Sequence, residues 1–291
     1  MIDALRQHLL ALVGDRHPVS SPEGLQRAER YLTDTFRSLN LTVTHHSFEG
    51  MGGTYRNVIA TQSPSTLSAP DPSMSPLPPL VVAAHYDTVA HSPGADDNAS
   101  GLAVMLETAR LLRTISLRSP IRFIAFCLEE EDLLGSRAYA AQLRKDGDVL
   151  HGAIVLECVG YASTRSGSQA APPGLPMAVP TTGDFLGIIG NEISAGLVHA
   201  VAGAAKQTVP DLPTLCLVVP GEGEAFPDTR RSDHAAFWAQ GYSAIMLTDT
   251  ANFRNPHYHR STDVLATLDL GFMGKVTRLF AAAVETLAAT E

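Results

Sequence analysis

The middle of the chain alternates between short apolar runs and segments in which apolar residues recur every three or four positions. Short apolar runs of this kind indicate strands, and the recurrence indicates helices. Alternating strands and helices are typical of a mostly parallel sheet that is covered by helices. The predicted fold class is therefore α/β, with a mixed, mainly parallel β-sheet between α-helices. The elements behind this prediction are strand 80–84, helix 101–113, strand 121–127, helix 134–144 and strand 153–156.

The same patterns predict elements on either side of this region. A first helix ends near Gly14 and Pro18, and Ser20-Ser21-Pro22-Glu23 is typical of the capped start of a second helix. Alternating residues at 41–48 and 55–60 predict a hairpin at the edge of the sheet. The later elements are strands 185–189, 215–219 and 244–247, a helix near 193–205 and a closing helix from about Asp263 to Thr286.

Residues 61–79 are rich in Pro, Ser and Thr, residues 161–180 are rich in Ser, Gly and Pro, and neither segment has a hydrophobic period. Both are predicted to be loops. Because the first joins two predicted strands, it is interpreted as an insertion within a domain rather than as a linker between domains. Residues 1–291 are therefore predicted to form a single domain, and a hydrophobic content of 45% is sufficient for a large core.

Composition and net charge limit the classes of molecule that the protein is expected to bind. The net charge is −9 and Lys and Arg do not cluster, which argues against binding to nucleic acid or to an anionic membrane surface. A peptide or small-molecule partner is favoured instead. The N-terminus lacks the pattern of a signal peptide, and no segment approaches the ~18 apolar residues of a membrane span, so a cytoplasmic location is expected. The oligomeric state is not indicated. Three separated cysteines are expected to be buried free thiols: Cys127, Cys158 and Cys216.

Side chains that can bind metal ions follow several of the predicted strands. Because the carboxyl ends of parallel strands meet at one edge of a sheet, these side chains are expected to converge. Each one alone is more readily explained as a helix cap or a solvated residue, but their joint placement favours a metal site. Nitrogen and oxygen ligands without thiolate suit Zn²⁺, Mn²⁺ or Co²⁺ better than a structural zinc. The candidates are His85, Asp87, Asp97, 129–132, Glu157, His257 and His259.

These motifs resemble peptidase family twenty-eight, the two-zinc exopeptidases that include bacterial leucyl aminopeptidases and relatives of glutamate carboxypeptidase. The resemblance covers the chain from the helix at residues 24–39 to Asp263. The motifs are His85-Tyr86-Asp87, Gly94-Ala95-Asp96-Asp97-Asn98-Ala99-Ser100-Gly101, Glu129-Glu130 ahead of Gly135-Ser136, Ser232-Asp233-His234, and Tyr258-His259 followed by Asp263.

The resemblance implies two divalent metal ions, with Zn²⁺ expected and Mn²⁺ or Co²⁺ as alternatives. His85 would bind one ion, and Asp97, the second Asp of its pair, would bridge both. Glu130 and His259 would complete one site and Glu157 the other.

It also implies the catalytic roles. Glu129 would be the general base, Asp87 would orient His85, and Tyr258 would donate a hydrogen bond to the oxyanion. A carboxylate on the second imidazole nitrogen fixes the tautomer of a metal-binding histidine, and a base next to a ligand can take a proton from water.

Two departures from the family pattern affect these roles. Many aminopeptidases of the family have Asp in place of Glu157, and the longer side chain can shift the metal position or the preference for a substrate charge. Asp132 stands where the family often has Gly, so a register shifted by one would make Glu130 the base and Glu131 the ligand. The count to Gly135 favours the first register.

The predicted activity is hydrolysis of a terminal peptide bond, with an aminopeptidase as the first choice. A carboxypeptidase or dipeptidase on the same scaffold would need a cation such as Arg230, Arg231 or Arg254 facing the substrate carboxylate. Glutaminyl cyclisation with one zinc and a metal-free binding module are further alternatives, and the complete set of candidate ligands argues against both.

Four residues near the motifs have open roles. Asp233 and His234 either act on substrate or belong to a helix cap and the wall of the pocket, and the second interpretation is slightly favoured. Glu222 and Glu224, in a Gly-rich loop, are candidates for recognition of a free α-amino group.

Overall fold

The computed structural model describes residues 1–64, 77–175 and 177–289. Most of the predicted 61–79 loop therefore lies outside the described residues. The strands are β1 Thr42–Gly50, β2 Gly53–Gln62, β3 Leu80–His85, β4 Ile121–Phe126, β5 Gly152–Glu157, β6 Ser163–Ser166, β7 Thr182–Gly183, β8 Leu186–Asn191, β9 Thr214–Val219 and β10 Ala244–Thr248. The α-helices are α1 Ile2–Leu12, α2 Pro22–Ser38, α3 Gly101–Leu112, α4 Leu134–Asp146, α5 Ala195–Thr208, α6 His234–Trp238 and α7 Leu270–Ala288.

Eight of these strands form one mixed sheet in the order β1-β2-β4-β3-β5-β10-β8-β9. The strands from β4 through β3 and β5 to β10 are parallel. The hairpin β1–β2 and the contacts β2–β4 and β10–β8 are antiparallel. The predicted α/β fold class with a mainly parallel centre and an edge hairpin is thus confirmed.

Successive side chains of the central strands point to opposite faces of the sheet, and both sets are buried in apolar cores. Helices therefore cover both faces. Val82 and Ala84 of β3 belong to the larger core, which also takes up the apolar faces of α1, α2, α3, α5 and α7. Val81 and Ala83 belong to the smaller core, formed with α4 and α6. Cys127 and Cys158 are buried free thiols, as expected, and Cys216 is free but half-buried.

Several predicted bounds are wrong at the ends of elements. The closing helix α7 begins at Leu270 rather than near Asp263, and the Asp269 side chain caps it by accepting from the Phe272 N–H at 2.9 Å. Asp263 instead accepts hydrogen bonds from the backbone N–H groups of Asp96 and Asp97. An acid ahead of an apolar period is typical of a helix start, and here the helix begins about two turns later.

The predicted 161–180 loop contains structure that its composition conceals. Strands β6 and β7 pair as a small antiparallel sheet. We call residues 163–183 the flap, of which residue 176 is not described. The buried Gln169 ties the flap to the loop after β10, since its Nε2 donates to Thr250 Oγ1 and its Oε1 accepts from Arg254 Nε, both at 2.8 Å.

Among the described residues, no helix combines the length and apolar composition that crossing a membrane requires.

Candidate metal centre

Three neighbouring parallel strands deliver acidic and imidazole side chains to one edge of the sheet. Strand β3 ends at His85, β5 ends at Glu157, and the chain after β4 turns at Leu128, which has a φ of 61°, into Glu129 and Glu130. The loops before α3 and after β10 add further residues at the same edge. The expected convergence of strand ends is therefore present.

His85 lies at the centre of the first group of these side chains. Its Nε2 is 3.1 Å from Asp97 Oδ1, 3.4 Å from Glu157 Oε2 and 3.8 Å from Glu129 Oε2. All four side chains are less than a tenth exposed. Ligand atoms of His85, Asp97 and Glu157 all lie within 4.8 Å of one another, the spacing of atoms around a single cation.

His259 forms a second group on the other side of Asp97. Its Nε2 is 3.0 Å from Asp97 Oδ2 and 3.2 Å from Glu130 Oε2. Asp97 thus offers one carboxylate oxygen to each group. A third set of possible ligand atoms, from His85, Glu129 and Glu130, also lies within 4.8 Å and adjoins both groups. The five side chains that the sequence suggested as metal ligands lie together in two adjoining clusters.

Buried polar atoms without hydrogen-bond partners test whether these residues fit a cation. Among the described residues, His85 Nε2, both Asp97 oxygens and Glu130 Oε1 are buried and have no such partner. Buried polar atoms are otherwise almost always paired. Imidazole and carboxylate donors without thiolate suit a divalent ion of the zinc or manganese type. The residues present therefore fit divalent metal ions.

The electrostatics of the clusters also call for positive charge. Burial alone would lower the pKa of His85, but Glu129 and Glu157 raise it well above its ordinary value. For Glu130, burial and the neighbouring Asp97 raise the pKa to about 7. Burial likewise raises the pKa of Glu129 well above its ordinary value. These raised pKa values show that the crowded carboxylates favour positive charge, either as protons or as a cation.

Asp87 fixes the backbone of the acidic residues that follow β4. Its carboxylate oxygens accept hydrogen bonds from the backbone N–H groups of Glu129 and Glu130, both at 3.1 Å. His85 Nδ1 is 3.2 Å from the Asp87 backbone carbonyl and 3.6 Å from its carboxylate. The carbonyl rather than the predicted carboxylate is therefore the nearer partner of His85, because the two acidic residues after β4 occupy the carboxylate.

The shifted register of the acidic run does not match the geometry. Glu131 points away from the clusters, with its Oε1 3.5 Å from His17 Nε2 and its side chain 33% exposed. Glu130, one residue earlier, faces His259.

Tyr258 lies between the second cluster and an open cavity. Its ring stacks on His259 with 3.9 Å between centroids, and its hydroxyl oxygen accepts from Arg231 Nη2 at 3.2 Å. Burial raises the pKa of Tyr258, and nearby carboxylates, Asp97 first among them, raise it further. The phenol therefore faces the acidic clusters and stays protonated.

Sequence reasoning missed the hydrogen bonds that hold Glu157. Ser232 Oγ donates to Glu157 Oε2 at 2.8 Å, and Cys158 Sγ donates to Glu157 Oε1 at 3.2 Å. Ser232-Asp233 was expected to cap the next helix, yet Asp233 precedes α6 without a side-chain capping bond. The hydroxyl of Ser232 binds the candidate metal ligand Glu157 instead. The two residues are 75 positions apart in the sequence, so no local pattern predicts this contact.

Asp233 and His234, whose roles the sequence left open, are both buried near the clusters. Asp233 is buried with both carboxylate oxygens unpaired, and burial raises its pKa to about 7. His234 Nε2 lies 2.7 Å from the Thr229 carbonyl oxygen, and its ring packs edge-on against Trp238. Neither residue is among those that line the cavity described below, so the predicted place in the pocket wall stays a prediction.

Glu222 and Glu224 lie on an exposed loop away from the cavity. Glu222 is 3.7 Å from Arg230, and Glu224 accepts from the Glu222 backbone N–H. Neither lies among the residues that line the cavity.

The cavity beside the clusters opens to solvent, and the cavity and its mouth together hold about 780 Å³ of space. Glu157 and Tyr258 border it on the metal side, and Arg231 lies on its rim. Its walls come from β8, β9, β10, the flap and the loop after β10, and most are apolar. They include Leu175, Met177, Phe185, Ile189, Leu217 and Phe253.

Comparison with known proteins agrees with this geometry. The model of peptidase family M28 matches residues 57–284. The chain belongs to peptidase family M28. Protein YfbL of Escherichia coli is 33% identical over 276 residues, which are 89% of this chain and 80% of YfbL. Aminopeptidase YwaD of Bacillus subtilis is 46% identical over 90 residues, 31% of this chain and 18% of YwaD.

Leucine aminopeptidase 1 of Trichophyton equinum is 28% identical over 225 residues, 72% of this chain and 54% of that protein. The chain thus spans about half the length of this named aminopeptidase. Among solved structures, the zinc aminopeptidase BSAP of Bacillus subtilis matches with a TM-score of 0.61 and 27% identity over 83% of this chain and 52% of its own.

Two further structures are similar in fold. LapB of Legionella pneumophila has a TM-score of 0.74 and 22% identity over 99% of this M28 chain and 71% of its own. Porphyromonas gingivalis glutaminyl cyclase has a TM-score of 0.72 and 19% identity over 98% of each chain. At this identity the likeness concerns the fold alone. The predicted family and a peptidase-class enzyme are confirmed by the family match and the named relatives.

Proposed function

We propose that this M28 protein is an aminopeptidase that uses two divalent metal ions and Glu129 as general base. One observation carries the proposal: Asp97 lies between two clusters, His85 with Glu157 and His259 with Glu130. A carboxylate shared in this way is typical of two-metal hydrolases, whose ions lie about 3.5–4 Å apart.

Bound metal ions would acidify a water molecule and polarise the carbonyl group of the peptide bond. Glu129 is buried beside the first cluster, and the two clusters that share Asp97 are each made of three other residues, although Glu129 also lies close to His85 and Glu130. Its carboxylate accepts the proton of the attacking water and passes it to the amine that leaves when the C–N bond breaks. Asp87 fixes the backbone of Glu129 and so keeps the base in place.

Tyr258 supplies a hydrogen-bond donor for the carbonyl oxygen of the substrate. Its protonated hydroxyl borders the cavity next to Glu157. A donor at this position stabilises the negative charge that develops on the carbonyl oxygen as water attacks. The apolar cavity next to it accommodates the side chain of the terminal residue, which favours bulky apolar residues.

The charges around the cavity favour an aminopeptidase over a carboxypeptidase. Arg254 is buried and donates to Gln169 and the Tyr161 carbonyl, and Arg230 pairs with Glu222. Although Arg254 Nη2 has no hydrogen-bond partner, neither side chain is among those that line the cavity, where a substrate carboxylate would lie. Arg231 is the remaining candidate, and the contacts of its guanidinium to Tyr258 and Asn252 give it another role.

A substrate panel tests this function. We expect zinc- or manganese-loaded protein to hold close to two ions per chain and to hydrolyse leucyl- and phenylalanyl-anilides but not N-blocked peptides. Cleavage of N-blocked peptides at their C-terminus would instead identify a carboxypeptidase, and cyclisation of glutaminyl peptides a cyclase. A metal content near zero after loading would contradict every metal-dependent version.

A further inference from the structure

Arg231 connects the rim of the cavity to Tyr258. Its Nη2 donates to the Tyr258 hydroxyl oxygen at 3.2 Å, and its guanidinium carbon is 5.7 Å from the centroid of the Tyr258 ring. On its other side, Nη1 donates to Asn252 Oδ1 at 2.8 Å and approaches Asp228 Oδ1 at 3.5 Å. The guanidinium is thus held from one side and presents a donor to the phenol on the other.

These contacts limit where the hydroxyl proton of Tyr258 can point. Stacking on His259 fixes the plane of the ring. A phenol has one O–H donor, and its oxygen accepts in other directions. Because Arg231 occupies one accepting direction, the proton turns away from Arg231, and the hydroxyl that carries it lies at the cavity that Glu157 and Tyr258 both line.

We propose that Arg231 is a positioning residue that aims the Tyr258 hydroxyl at the carbonyl oxygen of the substrate. The inference rests on the proposed aminopeptidase function, in which Tyr258 donates to that oxygen. Arg231 acts through Tyr258 and has no separate contact with the reacting atoms. The positive charge next to the phenol oxygen also strengthens it as a donor in a site that is otherwise rich in carboxylates.

The planar guanidinium suits this task better than an ammonium group. It offers several donors in a fixed fork, so it can bind Asn252 and Tyr258 at the same time, whereas lysine presents a single flexible point charge. The neighbouring Arg230 is a matched control. It lies 3.7 Å from Glu222, is not among the residues lining the cavity, and has a similarly exposed side chain.

A double-mutant cycle tests the coupling. We expect Tyr258→Phe to lower kcat by about 10²–10³-fold, the effect of losing one donor to an oxyanion. Arg231→Met should lower kcat by about tenfold with little change in KM, as the loss of an orienting partner does. In the Tyr258→Phe background, Arg231→Met should cause no further loss of kcat. In otherwise wild-type protein, Arg231→Lys should retain only part of the wild-type kcat, and Arg230→Met should match the wild type.

Additive losses in the double variant, or a change confined to KM, would show that Arg231 acts on substrate directly and would overturn the proposal. An unchanged kcat in Arg231→Met would do the same.

A readout without catalysis separates this inference from the proposed function. In protein labelled with ¹³C at the tyrosine Cζ position, the signal lost in Tyr258→Phe identifies Tyr258. We expect that signal to shift in Arg231→Met and to remain in place in Arg230→Met. An unshifted signal overturns the contact even in an active enzyme. A shifted signal in a protein that hydrolyses no peptide upholds the contact while the aminopeptidase function fails.

Discussion

Three consecutive acids, Glu129, Glu130 and Glu131, direct their side chains to three different partners. Glu129 lies near His85, Glu130 near His259, and Glu131 near His17. The carboxylate of Asp87 binds the backbone N–H groups of the first two and so sets where the run begins. Single-residue register, rather than composition, therefore decides which acid is free to act as a base.

This register leads to a prediction for Glu129→Gln. The amide keeps the shape of the side chain but cannot accept a proton from water, so we expect kcat to fall by about 10²–10⁴-fold. Metal content, measured by elemental analysis, should stay at the wild-type level because Glu129 completes neither cluster. Glu131→Gln is the control and should change neither quantity. If Glu131→Gln instead lost metal and Glu129→Gln remained active, the shifted register would be correct.

The sequence could indicate which side chains meet because parallel strands end at a common edge. His85 and Glu157 are the last residues of β3 and β5, and Glu129 follows β4, so their convergence depends only on strand order. The partners that hold them come from elsewhere. Ser232 reaches Glu157 from the start of a short helix, and the buried Arg16 reaches the loop before Asp97. Such contacts depend on tertiary packing and have no local pattern.

At the scale of elements, the flap closes one wall of the cavity although its own sheet is small. Its strands are short and mostly polar, which is why their alternation was not visible in the sequence. Leu175 and Met177 line the cavity between these strands. The flap depends on Gln169, whose amide binds both Thr250 and Arg254 in the loop that leads to Tyr258.

Gln169→Leu should weaken both stability and substrate binding. The leucine leaves Arg254, which is 5% exposed, without the acceptor of its Nε. An unpaired buried polar group costs about 1–3 kcal/mol, and we expect a loss of that size in the free energy of unfolding in urea. KM for phenylalanyl-anilide should rise because the flap wall loosens.

Gln142→Leu provides the comparison, since Gln142 bonds only to Asp146 on the exposed surface of α4. A surface change of this kind should stay within about 0.5 kcal/mol. Equal effects of the two substitutions would show that Gln169 does not fasten the flap.

At the scale of the whole molecule, residues that precede the family match also support the site. The match begins only at residue 57. Arg16, only 1% exposed, donates to the backbone carbonyls of Tyr86, Pro93 and Gly94. Burial lowers its pKa to about 10, so it keeps its charge beneath Asp97 and Asp87. The segment between α1 and α2 therefore supports the loop that carries the shared carboxylate.

The contact between α1 and α3 predicts how the molecule responds to acid. Burial alone would raise the pKa of Glu107, but hydrogen bonds to His8 and Arg110 outweigh it and lower the pKa to about 2. The ordinary value is 4.5, so this group stabilises the fold fully above about pH 5, and the contribution is lost as the pH falls toward 2. A shift of this size corresponds to about 3 kcal/mol at most, because Arg110 is 40% exposed and solvent screens the pair.

Urea unfolding of the wild type and Glu107→Gln at a series of pH values measures this contribution. The variant should be less stable at pH 7, and the difference should shrink between about pH 5 and pH 3 because the wild-type carboxylate then takes up a proton on unfolding. The exposed Glu285 on α7 offers a control, since Glu285→Gln should follow the wild-type curve within about 0.5 kcal/mol. A difference between wild type and Glu107→Gln that stays constant with pH would mean that the charge of Glu107 does not join α1 to α3, and packing alone would then account for that contact.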